Sequence, residues 1–117
     1  MTETFRNLIA WQKAKALAKD IYLVTRSFPK EEMYGLTIQM RRAAVSIPSN
    51  IAEGKGRSSR KDYCHFLTQA RGSLYELETQ VELALDLGYA DSKTAKPLLS
   101  QCDELGRILN GLIRSLQ

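Results

Sequence analysis

The sequence has one histidine, two cysteines and three prolines in its 117 positions. It also has no run of eighteen apolar residues, the length a helix needs to span a bilayer. Each shortage excludes a class of protein. The opening Met1-Thr2-Glu3-Thr4-Phe5-Arg6-Asn7 does not show the basic-then-apolar order of a secretion signal. Cys64 and Cys102 stand 38 positions apart and lack the close spacing of metal-ligand pairs. Two free, mostly buried thiols in a reducing cytoplasm are expected. The lone His65 leaves none of the Glu-x-x-His pairs that hold metals inside helical bundles. It directly follows Cys64, so on a helix the two side chains point about 100° apart and cannot act as nucleophile and base. Gly54-Lys55-Gly56-Arg57-Ser58-Ser59 shares only composition with a phosphate loop, because the glycine spacing is wrong and no strand precedes it. The expectation is a protein that is not an enzyme and that uses no metal or cofactor.

Apolar residues make up 44% of the chain and charged residues 26%, enough to bury a core. The length suits a single domain over residues 1–117. Helical periodicity dominates. Trp11, Ala14, Ala18, Ile21, Thr25 and Phe28 step by three and four. So do Tyr63, Phe66, Ala70, Leu74, Leu77, Val81 and Ala84, and again Leu98, Cys102, Leu105, Leu109, Leu112 and Leu116. Each set lines one face of a helix. Sustained period-two alternation is absent, so no sheet is expected.

The punctuation predicts helices over about 7–28, 30–53, 59–87 and 92–116. Pro29 with Glu31 and Glu32 suits a helix start, and Gly54 and Gly56 suit a helix stop. Ser59 and Asp62 read as a variant capping box. Gly88 stops the third helix, and Asp91 or Thr94 caps the fourth. If Asp91 is the cap, Pro97 falls inside the helix and should bend it; with Thr94 it is harmless. Short connections force antiparallel neighbours, giving an all-α, up-down-up-down four-helix bundle. Pro48 lies well inside helix two and should cause a kink near Ile47 or split the helix into two pieces.

Charge is uneven. Residues 1–61 carry 12 Lys/Arg and 5 Asp/Glu, net +7, whereas residues 62–117 carry 5 and 8, net −3. Lys55, Arg57, Arg60 and Lys61 fall within seven positions at one bundle end. Pairing helices two and three about the 54–59 turn sets Arg41 and Arg42 level with Arg71 and Gly72. These seven basic residues, Arg71 included, are the candidate nucleic-acid-binding set, because phosphate backbones bind positive surfaces by releasing counterions. The competing readings are neutralisation between the two halves of the chain, or a protein–protein adaptor whose positive face docks an acidic partner. Helix two also carries a second apolar stripe, Ile38, Val45 and Ala52, beside its main one of Met33, Leu36, Met40, Ala43, Ile47 and Ile51. Helix four doubles its apolar positions at Leu98-Leu99, Ile108-Leu109 and Leu112-Ile113. Surplus apolar surface points to a contact between subunits, and a wide core-facing stripe is the alternative.

The run Gln39-Met40-Arg41-Arg42-Ala43-Ala44-Val45-Ser46-Ile47-Pro48-Ser49-Asn50-Ile51-Ala52-Glu53-Gly54, preceded by Phe28-Pro29-Lys30-Glu31 and Tyr34-Gly35-Leu36, resembles the four-helix-bundle proteins encoded in intervening sequences of 23S rRNA genes. Phe66-Leu67, Ala70-Arg71-Gly72-Ser73-Leu74 and Glu76-Leu77 match the third-helix motif of that family, and Asn7-Leu8 with Trp11 match its opening. The similarity spans about residues 5–116. It implies the bundle fold and a bacterial source. More distantly the family is similar to the accessory variability protein of diversity-generating retroelements, a basic homopentamer that binds nucleic acid and a reverse transcriptase. The resemblance therefore implies a homo-oligomer, a ring of five in that relative, with RNA or DNA and a polymerase as partners. The small residues Ala70 and Gly72 read as points of close helix approach, and Ser46, Ser49 and Asn50 as partners for the carbonyl that Pro48 leaves without a donor.

Overall fold

The structure, a computed structural model, describes residues 4–117. Thr4 opens a single 3₁₀ turn, Phe5–Asn7, by accepting the Arg6 N–H on its side-chain oxygen at 3.2 Å. Four helices follow: α1 Ile9–Thr25, α2 Leu36–Lys55, α3 Arg60–Asp86 and α4 Ser92–Leu116. No strand occurs among the described residues. The helices run up-down-up-down, α1 and α3 each packing on both α2 and α4. The bundle measures 44 × 24 × 23 Å. Its axis is filled by fully buried side chains from every helix, among them Leu17, Ile47, Ile51, Leu74 and Leu109. Cys102 is buried in the core, whereas Cys64 is only half-buried, and both thiols are free. No described helix is long and apolar enough to cross a membrane.

The start of α2 differs from the sequence expectation. Lys30–Glu32 forms a separate 3₁₀ turn, and the helix begins only at Leu36. The reason is Glu32. Its carboxylate folds back to accept the Leu36 N–H at 3.0 Å and also accepts the Tyr89 O–H at 2.8 Å. It thus supplies the cap that Gly35 cannot, and its negative charge faces the positive end of the α2 dipole. Gly35 makes room for this: a Cβ there would lie 2.6 Å from Glu32 Oε1. Met33 is consequently left outside the helix and exposed, so it is not part of the α2 apolar stripe.

Pro48 does not divide α2, which runs as one element from Leu36 to Lys55. The ring removes the donor for the Ala44 carbonyl, but the neighbouring turn is reinforced. Asn50 Nδ2 donates to the Ser46 carbonyl at 2.9 Å and lies 3.0 Å from Ser46 Oγ. Ser46 Oγ in turn sits 2.9 Å from Ser73 Oγ on α3. The polar residues around Pro48 therefore bind α2 to α3, with Ser49 exposed and taking no part. The Ser46–Ser73 pair also sets the register. Arg42 stands level with Leu77, six positions beyond the expected Arg71 level, because the pairing centres at the start of α3, near Ser59 and Arg60, and not on the middle of the turn.

Two glycine readings change. Gly54 is not a stop residue; it lies inside α2, buried, where a Cβ would meet Phe66 Cβ at 2.8 Å. Close approach of α2 to α3 is its function. Gly72, expected at such a contact, faces open space on the outside of α3, while Ala70 is buried in the core. Asp91 caps α4 by accepting the Thr94 N–H at 2.8 Å, so Pro97 is inside that helix, on its exposed side. The doubled apolar positions of α4 belong to a wide inner stripe: Leu99, Ile108 and Leu112 all pack against the core.

Candidate functional site

The positive residues are held by local helix chemistry. Ser59 Oγ accepts the Asp62 N–H at 3.1 Å and starts α3 directly after the turn, so Arg60 and Lys61 occupy its first exposed positions. Lys55 ends α2, and Gly56 closes it with its N–H on the Ala52 and Glu53 carbonyls. Lys55, Arg57, Arg60 and Lys61 thus ring one connection at one end of the bundle. Arg57 pairs with Glu53 at 3.7 Å, an exposed contact of little energetic weight. The antiparallel arrangement brings the N-terminal turn to the same end, where Thr4, Phe5 and Arg6 share a cleft with Lys55 and Gly56.

The other three basic residues are elsewhere. Arg42 is exposed on the outside of α2, thirteen residues, or about 20 Å of helix, from Lys55. Arg41 is turned to α1: its Nε donates to Thr25 Oγ1 at 2.9 Å and its guanidinium lies over the Tyr22 ring at 4.7 Å. Arg71 Nη1 donates to Asn110 Oδ1 on α4 at 2.9 Å. Arg41 and Arg71, which had no structural explanation in the sequence, each tie two helices together. The structure therefore gathers four of the seven at one end and spreads the remaining three along the bundle.

Sequence reasoning overlooked what surrounds the four. Rings and cations lie side by side at this end. Arg6 lies 4.6 Å from the Phe5 ring centre, and Phe5 meets Trp11 edge-on at 5.1 Å. Lys15 Nζ lies 5.2 Å from the Trp11 ring. Lys55 Nζ is 5.9 Å from the Tyr63 ring, and Arg57 is 4.8 Å from the Phe66 ring. Tyr63 is partly buried, which raises its phenol above the ordinary value of 10.0. Trp11 and Phe66 both sit in apolar stripes and read from sequence as core; both are only half-buried. The available signal was the lysine four residues after Trp11, with a second at Lys19, on one face of α1.

His65 is exposed, as its position before Phe66 predicts; its Nε2 lies 3.1 Å from Gln69 Nε2 and its ring packs T-shaped with Phe66. No group of three or more His, Cys, Asp or Glu side chains suited to a metal occurs among the described residues. On α2, Val45 is 43% exposed, with Ile38 and Ala52 half-buried on the same outward face.

The bundle is similar to the crystal structure of a protein of unknown function from the S23 ribosomal protein family of Bacteroides thetaiotaomicron. The two share 21% identity, over 91% of this chain and 96% of that one, with a TM-score of 0.82. That likeness establishes the fold. No curated protein matches the chain. The family model for the 23S rRNA-intervening sequence protein matches residues 6–111. With that match running through all four helices, the chain belongs to the 23S rRNA-intervening sequence protein family.

Proposed function

We propose that the protein is a non-enzymatic, homo-oligomeric accessory or scaffold that binds the backbone of RNA or DNA in the bacterial cytoplasm. The observation that supports this reading is the convergence of Arg6, Lys55, Arg57, Arg60 and Lys61 at one end of the bundle. Only Glu53 among the acidic residues pairs with any of them in the described structure. Such a surface suits phosphate neutralisation, and without a base-reading motif the recognition is mainly of backbone. A polymerase such as a reverse transcriptase fits as a protein partner for a scaffold of this kind.

Assembly is supported by α2. Ile38, Val45 and Ala52 recur every seven residues on its outward face, and none of them packs against the core, unlike the doubled positions of α4. A ring, of five subunits by the resemblance described above, multiplies the basic end. Repeated weak contacts then act at high effective concentration and give tight binding. Light scattering at micromolar concentration tests this part; a mass of 13.2 kDa, that of one chain, would sink it.

Titration with mixed RNA and DNA across salt concentrations tests the binding. Affinity should fall log-linearly with salt. The combined substitution Arg57→Glu, Arg60→Glu and Lys61→Glu should abolish it with helix content and assembly unchanged. Undiminished binding by that variant removes this surface from consideration, and an adaptor docking an acidic protein takes its place.

A further inference from the structure

We propose that the basic end selects single-stranded nucleic acid, stacking an unpaired base on Trp11 while Lys15 and Lys19 hold the adjoining phosphates. The inference rests on the nucleic-acid reading above and adds to it the form of the strand. It is carried by a cleft on the outer side of α1, of about 310 Å³, lined by Trp11, Gln12, Lys15, Ala16 and Lys19. Its floor is apolar, given by Trp11 and Ala16, and its rim is cationic.

The electrostatics of the cleft suit a nucleotide. The Lys15 ammonium rests 5.2 Å from the Trp11 ring, and among the described residues no carboxylate lies within ion-pair distance of it. A cation held over a half-exposed ring is bound weakly, whereas a phosphate offers it a full negative charge. An arriving nucleotide can therefore draw Lys15 off the ring and place its base on the face so uncovered. Phe5 packs against the indole in a T-shaped contact at 5.1 Å, which limits the movement of the ring before any ligand arrives.

The cleft also has a continuation. From Trp11 the rings and cations pass through Phe5 and Arg6 into the second cleft shared with Lys55, and from Lys55 to Tyr63 on α3. Rings and cations set side by side across three helices suit a single strand, which offers both bases and phosphates. In a duplex the bases are paired and stacked inside the helix, out of reach of Trp11, and only backbone contacts are available.

Trp11 is the sole tryptophan, so the full-length chain reports on its own site. A short labelled oligo-dT strand and a DNA duplex of equal length are titrated separately, following both label anisotropy and tryptophan fluorescence. The single strand should bind more tightly and quench the fluorescence, while the duplex binds without quenching. Trp11→Ala should weaken single-strand binding about tenfold, with duplex binding little changed, and Trp11→Phe should restore much of the loss. Because Trp11 also touches the core, Lys15→Glu together with Lys19→Glu, both at exposed positions, is the second variant; it should remove the quenching with helix content intact. If both nucleic acids bind equally and neither quenches, the single-strand inference fails and the backbone reading stands. If the parent protein binds neither, both readings fail together.

Discussion

Arg41 Nε donates a 2.9 Å hydrogen bond to Thr25 Oγ1 across the α1–α2 interface. Thr25 is buried and passes its own hydroxyl hydrogen to the Ile21 carbonyl at 2.7 Å. The guanidinium also reaches the Tyr22 carbonyl at 3.5 Å, near the C-terminal end of α1, where positive charge is favoured by the helix dipole. Arg41→Ala should therefore destabilise the fold by about 1–2 kcal/mol, the weight of a charge-assisted hydrogen bond on a partly exposed group. Arg41→Lys should recover only part of this, because an ammonium cannot reproduce the guanidinium fork. Urea unfolding followed by circular dichroism measures both.

Gly54 and Gly72 should respond in opposite directions to alanine. Replacing an exposed helical glycine by alanine gains up to about 1 kcal/mol. At Gly72 nothing stands within 4 Å of the new methyl, so that gain should appear in full for the isolated chain. At Gly54 the methyl meets Phe66 Cβ at 2.8 Å, an atom that moves only if α3 moves. Overpacking of that kind costs about 1–3 kcal/mol and outweighs the gain. The midpoints of thermal unfolding should diverge accordingly.

The two thiols should differ in reactivity. Burial, assisted by the nearby charge of Glu78, pushes the Cys102 thiol up to about 12, so it holds almost no thiolate at neutral pH. Cys64 is half-buried and reachable. A disulfide reagent added to the native protein at pH 8 should modify Cys64 and leave Cys102 until the chain is unfolded. Equal rates at both positions would show that the core opens far more readily than its packing implies.

The link between Glu32 and Tyr89 should set acid sensitivity. The Leu36 N–H, and then the Tyr89 hydroxyl, hold the Glu32 carboxyl below its ordinary 4.5. A lowered folded value stabilises the fold above pH 4.5, and this contribution is lost as pH falls through the folded value. The Glu32 carboxylate likewise raises Tyr89 above 10.0, which favours the neutral phenol and so stabilises the fold until pH rises past that point. Glu32→Gln should lower stability at pH 7 and flatten the acid limb of the stability profile, read as thermal midpoints across pH.

The helix pattern of the sequence was sufficient for the bundle. The stripes ending at Phe28, Ala84 and Leu116 needed only the 3.6-residue period, and short connections then left antiparallel packing as the one arrangement. The Ser59 cap, the outward His65 and the basic connection at 55–61 were legible for the same reason: each depends on residues within one turn of one another. The tertiary structure alone decided the rest, because it depended on partners far along the chain. Gly54 could be recognised as a contact only with Phe66 beside it. The start of α2 moved to Leu36 because Glu32 is held by Tyr89, 57 positions away. Arg41 and Arg71 became ties between helices once Thr25 and Asn110 stood opposite them. Trp11 reads as core by period, yet its ring lies at the rim of the bundle, where burial is set by the neighbouring helix and not by the spacing within its own.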